Sequence, residues 1–386
     1  MSQKILIINT KYRVFGGEDA NITDEINILK KHFDVRYLEF DNLQPINFFD
    51  FLSFFLNSNR LSNKKLKRTI REFKPDIAYV HNTWFKANLG IFKILKKEKI
   101  KVLHKIHNYR FDCARHIKSL NHLKKNSQCP ACGVQKNKLG NYNKYYSESL
   151  VKSFFLNIHS KRYFKILKKE PISLLVLSKF QMKYLKDIGI HESKIFLYHN
   201  PIEIHKELLT KYNSSSNYIV FAGRLVNSKG INEVLEAWSR LKPDKLNLKI
   251  IGSGENDSYL AEKYDSENVE FIGHLKNNQA KEIIRKARAV VTGTKLLEGQ
   301  PRVLLEASSY GVPSVYPSFG GMDDFFPKNY HLSFKQYDYE DLFIKMSDLE
   351  NEKLLNQESQ RIVNYVTLNF SEEILIQKFK KIMVNT

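Results

Sequence analysis

The stretch Tyr218–Ile251, YIVFAGRLVNSKGINEVLEAWSRLKPDKLNLKII, decides the fold. It opens on a five-residue apolar run, Tyr218–Ala222, and turns at Gly223. A polar loop follows as far as Gly230. Residues Ile231–Leu241 then place apolar side chains at helical spacing, and a second apolar run begins at Leu248. Strand, helix and strand in this order predict a parallel pair with a crossover helix. Outward from here the alternation repeats. Short runs rich in Ile, Val and Leu occur at Lys4–Asn9, Ile77–His81, Val102–His107, Leu174–Leu177 and Ile195–Tyr198. Beyond the opening stretch they continue at Val269–Ile272, Ala289–Thr292 and Ser314–Tyr316, with helical spacing between them at Gln279–Ala287. Such runs suit strands covered on both faces. The serine-rich Lys211–Asn217 reads as a linker. The expected fold class is α/β: two doubly wound parallel-sheet domains, joined near residues 200–217 and facing a cleft.

Composition agrees. A chain of 386 residues suits two or three domains, and 42% hydrophobic content excludes wholesale disorder. The net charge of +21 is unevenly placed. Residues 1–200 carry 38 basic and 16 acidic side chains, whereas residues 201–386 carry 24 and 25. Halves so different in charge are expected to meet different partners. Three cysteines make no disulfide framework, which fits a reducing cytoplasm. The run Ile5–Ile8 is too short for a signal-peptide core, and no stretch nears the ~20 apolar residues of a spanning helix. The abundance of Lys, Asn and Ile points to an AT-rich, bacterial genome.

Two places in the second half carry chemistry. Arg224 and Lys229 share the loop between the Tyr218–Ala222 strand and the following helix. Two cations beside free backbone N–H groups suit a diphosphate, although a plain surface loop would look the same. Further on comes Glu298-Gly-Gln-Pro-Arg-Val-Leu-Leu-Glu306-Ala307. Pro301 fits the first turn of a helix, which places Glu298 in the preceding loop and Glu306 inside the helix. The pair can hold sugar or ribose hydroxyls; alternatively, Glu298 is a cap and Glu306 a solvated charge. Tyr310-Gly-Val-Pro313 closes that helix, and Gly320-Gly321 forms a later turn.

In this order, Gly-Arg-Leu with Lys229-Gly230, then Ile251-Gly-Ser-Gly254, Phe271-Ile-Gly-His274, the glutamate pair, Gly-Val-Pro and Gly-Gly resemble the family 4 glycosyltransferases. These are retaining nucleotide-sugar enzymes of GT-B architecture, with two Rossmann-like domains. The resemblance covers most of residues 218–326. Weaker matches extend it across nearly the whole chain: Phe15-Gly16-Gly17-Glu18, Lys105-Ile-His107-Asn108, Leu177-Ser-Lys-Phe180 and His199-Asn-Pro-Ile202. The resemblance implies an acceptor-binding domain over residues 1–200 and a nucleotide-sugar domain over 201–367. It also implies that residues 368–386, whose Ser371–Met383 reads as an amphipathic helix, return to the first domain.

The resemblance also implies residue roles. Gly16 and Gly17 let the first loop approach the donor phosphates, and Gly223 permits the turn after its strand. Arg224 and Lys229 neutralise the diphosphate. Glu298, with the backbone of Gly299 and Gln300, holds the transferred sugar; Arg302 and Val303 line the donor site and Glu306 holds the ribose. His107 lies near the reacting face of the sugar, and His274 and Leu275 border the nucleobase. Expected chemistry is metal-independent transfer of a hexose-type sugar from a UDP- or GDP-sugar with retention of configuration. The acceptor would be a glycan or polyprenyl-diphosphate-linked glycan, in synthesis of capsule, O-antigen or lipopolysaccharide. A non-catalytic nucleotide- or sugar-binding protein of the same fold is the alternative.

Residues 51–200 hold 32 basic and 8 acidic side chains. Asn47–Leu56, NFFDFLSFFL, precedes Arg60, Lys64, Lys65, Lys67, Arg68 and Arg71. This suits contact with an anionic membrane at its cytoplasmic face, or a helix that packs its phenylalanines into the core. Scattered basic residues without a nucleic-acid motif speak against nucleic acid. Cys129-Pro-Ala-Cys132 has zinc-knuckle spacing, with Cys113 as a third ligand and His116 or His122 as a fourth; with no second C-x2-C, reduced loop thiols are the alternative.

Overall fold

A computed structural model of the chain describes residues 3–11, 17–42, 48–112, 149–204, 212–241, 245–254 and 257–385, the side chains of 48–51 and 152 excepted. The chain divides into two compact units, Met1–Pro201 with Leu375–Thr386, and Ile202–Ile374. Each contains a six-stranded, wholly parallel sheet.

In unit 1 the strands are β1 (Lys4–Lys11), β2 (Asp34–Asp41), β3 (Ile77–Val80), β4 (Lys101–Ile106), β5 (Ile172–Val176) and β6 (Ile195–Leu197), ordered β2-β1-β3-β4-β5-β6. Helices α1 (Gly17–Lys30), α2 (Phe48–Leu56), α3 (Arg60–Phe73), α4 (Gly90–Lys97), α5 (Leu150–Lys169) and α6 (Lys179–Asp187) connect them. Strands β3 and β5 are buried at every position, which is why their sequences, IAYV and ISLLV, are almost unbroken apolar runs.

Unit 2 has β7 (Tyr218–Ala222), β8 (Asn247–Ile251), β9 (Val269–Gly273), β10 (Ala289–Val291), β11 (Ser314–Ser318) and β12 (Ser333–Lys335), ordered β12-β11-β10-β7-β8-β9. Its helices are α7 (Ile231–Leu241), α8 (Asp257–Lys263), α9 (Asn277–Arg285), α10 (Arg302–Ser309), α11 (Tyr339–Ser347) and α12 (Glu352–Phe370). Read from β9, the order is the 3-2-1-4-5-6 winding of dinucleotide-binding folds, which reverses between β7 and β10. In unit 1 the reversal falls between β1 and β3. Ligands of such sheets bind beyond the strand carboxyl ends at this point.

The last helix, α13 (Glu372–Val384), belongs to unit 1 for most of its length. Its Leu375, Ile376, Phe379, Ile382 and Met383 form one apolar stripe. The stripe packs into a core with Ile5, Ile7, Ile26, Tyr79 and Tyr198.

The apolar runs match strands to within about two residues. Pro301 differs from expectation: its ψ of 87° is not helical, so it is the N-cap of α10 and the helix proper begins at Arg302. Helix α2 begins at Phe48, and Phe54 is buried in a stack with Phe85 and His159, whereas Leu56 is 62% exposed. Gly16 and the three cysteines, with His116 and His122, lie outside the described residues.

Candidate active site

In unit 2 the loops after β7, β8 and β10 are laced together at the backbone. The Gly223 N–H donates to Ile251 O at 2.9 Å, and that of Leu225 donates to Ser253 O at 3.0 Å. Gly252, at φ 141°, lies so close beneath Gly223 that a methyl group would strike its carbonyl oxygen. Gly230, at φ 72°, abuts the Gly293 carbonyl in the same way. These glycines are required by the close approach of the loop backbones.

The approach carries Lys229, at the end of the 3-10 turn Asn227–Lys229, to the loop after β10. Its ammonium donates to Glu298 Oε1 at 2.6 Å, and Thr294 Oγ1 donates to the same oxygen at 3.0 Å. Burial alone would raise the Glu298 carboxyl pKa. Lys229, Thr294 and the charge of Arg224 together hold it below the ordinary carboxylate value. Arg224 itself is exposed. The cluster is thus a half-buried carboxylate on a fixed cation, with a second cation open to solvent.

Lys295 was not singled out from sequence. It is 9% exposed, donates to Asn227 Oδ1 at 2.6 Å and pairs with Glu233 of α7. Its backbone N–H donates to Ser228 O at 3.0 Å. Lys295 therefore fastens the loop carrying Glu298 to the turn carrying Lys229.

Glu306 lies inside α10 and has partners of its own. It accepts from Arg302 Nε at 2.8 Å, one turn earlier, and Lys281 of α9 stands at 3.7 Å. Gly299 and Gln300 are half-buried in the loop before α10, and Val303 packs against the core. His274 is exposed just after β9; Leu275 packs partly against the core.

In unit 1, Gly17 is the first residue of α1 and is exposed. His107 follows β4, and its Nε2 is 3.0 Å from Nδ1 of His81, which follows β3. The two rings are near-parallel, with centroids 5.3 Å apart. With Glu18, Trp84, Lys105 and Arg110 they line a small pocket. Beneath it, Lys105 donates to Glu25 Oε2 at 2.8 Å, and Tyr79 OH donates to Oε1 at 2.7 Å. His81 and this buried pair were not read from sequence, because each stands inside an apolar run or helix face.

Among the described residues no group of three or more His, Cys, Asp or Glu could hold a metal ion, and no helix is long and apolar enough to cross a membrane.

Residues 205–367, which lie within unit 2, match the family profile "Glycosyl transferases group 1". The putative teichuronic acid biosynthesis glycosyltransferase TuaC of Bacillus subtilis is 30% identical over 139 residues, 36% of this chain and 34% of the relative. The amylovoran biosynthesis glycosyltransferase AmsD of Erwinia amylovora is 27% identical over 117 residues, 29% of this chain and 33% of the relative. The matched stretches span about a third of these curated relatives. Among solved structures, Anabaena Alr3699/HepE in complex with UDP and glucose superimposes with a TM-score of 0.67, 13% identity and full coverage of both chains. The lipopolysaccharide outer core galactosyltransferase WaaB, in apo form, gives 0.62 and 16% identity, over 98% of each chain. The architecture is that of the GT-B glycosyltransferases.

Proposed function

We propose that this chain is a retaining, metal-independent glycosyltransferase that moves a hexose-type sugar from a nucleotide-diphosphate sugar to a glycan or lipid-linked acceptor in bacterial surface-polysaccharide synthesis. One observation carries the reading. Lys229 and Glu298 meet at the switch point of the unit that matches the group 1 glycosyltransferase profile, with Arg224 beside them. Cleavage of the sugar–phosphate bond develops negative charge on the departing diphosphate. Lys229, fixed, and Arg224, open to solvent, are the cations that would take it up, Glu298 would hold the sugar hydroxyls, and Glu306 those of the ribose. The names of TuaC and AmsD supply the polysaccharide context, and the UDP complex of HepE supplies the donor class.

The basic surface of unit 1 supports an anionic-membrane location at the cytoplasmic face. Arg60, Lys64, Lys67, Arg68 and Arg71 line one groove on α3, near the exposed Leu56 and Leu61. Co-sedimentation with anionic, but not zwitterionic, vesicles is the expected result, and equal binding to both would remove this part of the reading.

The direct test is binding and turnover of UDP-, GDP- and ADP-sugars in the presence of a chelator. One nucleotide class should bind saturably. Lys229→Ala should lower kcat/KM by about 100- to 1000-fold, the magnitude of losing one charge-stabilising donor. No binding across the panel by folded protein would favour a non-catalytic binding role instead. The anomeric configuration of the first-formed product, read by NMR, decides retention.

A further inference from the structure

The His81–His107 contact has a property that neither ring has alone. His81 is 2% exposed, and its position is set by the sheet, since its N–H donates to Ile8 O at 2.9 Å. Next to it, Asn82 Nδ2 donates to Thr10 O at 2.6 Å, and Asn82 Oδ1 accepts from Trp84 N at 2.9 Å. His81 Nδ1 is committed to His107, whereas its Nε2 is buried and has no hydrogen-bond partner among the described residues. Burial is the main cause that pushes both rings well below the ordinary histidine pKa, and the Lys105 ammonium on β4 adds to it. Other charged or titratable neighbours are Glu18 and Glu25 on α1, His104 on β4, Arg110 after β4, and His159 and Tyr163 on α5.

Two neutral imidazoles meeting Nδ1 to Nε2 can share only one proton. If His81 Nδ1 donates, His107 Nε2 is bare and its proton sits on Nδ1. If His107 Nε2 donates, His81 Nδ1 is bare and its proton sits on Nε2. Both rings therefore carry the same tautomer, Nδ1–H in the first case and Nε2–H in the second. Opposite tautomers would set two protons or two lone pairs face to face.

We propose that His81 is a positioning residue that dictates the tautomer of His107, so that a hydroxyl donated to the buried Nε2 of His81 locks both rings as Nδ1–H. Such a hydroxyl needs Nε2 bare, which forces the His81 proton to Nδ1 and onward as a donor to His107. The proposal rests on the reading that this pocket handles sugar hydroxyls, and it adds the means by which an occupied pocket sets the protonation of the residue at the reaction.

The test is two-bond 15N–1H correlation on the full chain, labelled at the histidine rings, near pH 7.5. In wild type, His81 and His107 should both be neutral and share one tautomer. Opposite tautomers, or a charged ring, would overturn the proposal. In His81→Asn the side-chain amide can turn to donate or accept, so a hydrogen bond survives but the coupling does not. His107 should then relax toward the mixed tautomers of a free imidazole, and unchanged ring shifts would equally sink the idea. If the variant fails to fold, the wild-type spectrum decides alone. The measurement uses no nucleotide sugar. Failure of the transferase reading would show as absent donor binding with matched tautomers, and failure of this proposal as donor binding with opposite ones.

Discussion

Lys105 has no exposed side-chain surface, and its partner Glu25 has 1%. Tyr79 donates to the same carboxylate, and Tyr198 lies under the ammonium at 4.6 Å. Removal of one member of such a pair leaves the other charged and buried. Lys105→Met should therefore cost about 3–5 kcal/mol in urea unfolding, whereas the double change Lys105→Met with Glu25→Leu should recover most of it. A loss under ~1 kcal/mol for the single variant would mean that water reaches Glu25. Neither residue was legible as a pair, because 80 positions separate them and only the sheet brings them together. Lys229 and Glu298 were each visible through the motif around them. The fastening by Lys295 was not, since a lysine in a loop carries no pattern that marks it as buried.

At the scale of elements, the glycines divide by what surrounds them. Gly230 and Gly273 both have positive φ, 72° and 81°. A methyl group on Gly230 would strike the Gly293 carbonyl, but one on Gly273 would meet nothing within 4 Å. Gly273→Ala should cost only the backbone strain, roughly 1 kcal/mol, and Gly230→Ala about 1–3 kcal/mol more for the overlap. Equal midpoints in denaturant would refute the close approach of the two loops. Phe379 on α13 is fully buried, with ring contacts to Phe33, Tyr79 and Tyr198. Phe379→Ala should cost about 3–5 kcal/mol, and a near-neutral change would show that α13 is not part of that core. Central strands such as IAYV were readable because burial on both faces leaves only apolar residues. The edge strands β2 and β12 were missed. β2, DVRYLEFD, alternates with polar residues, and β12 has only three residues, with Phe334 the one buried.

At the scale of the molecule, the buried histidines among the described residues lie in unit 1. Burial lowers His104 to about 4, and His159 and His199 to about 3. Below pH ~6.5 the unfolded chain binds a proton at each of these rings and the folded chain does not, so stability rises with pH and falls on acidification. Each ring should cost about 1.4 kcal/mol per pH unit below ~6.5, until its folded value is reached. In unit 2, His274 and His331 are exposed. Calorimetry between pH 7 and pH 5 should therefore show unit 1 losing stability well before unit 2; parallel losses would argue against neutral buried rings.

The return of α13 to unit 1 also bears on how the chain is made. Translation delivers residues 1–201 first, yet the core they build lacks Leu375, Phe379 and Ile382 until the whole of unit 2 has been synthesised. At ~5–20 residues per second, that delay is on the order of ten to thirty seconds. During it the apolar patch around Ile5, Tyr79 and Tyr198 waits uncovered, while unit 2, contiguous in sequence, can close as soon as it emerges. The half of the protein that is born first is thus the half that finishes last, and a nascent chain stalled before residue 375 would present that patch to chaperones.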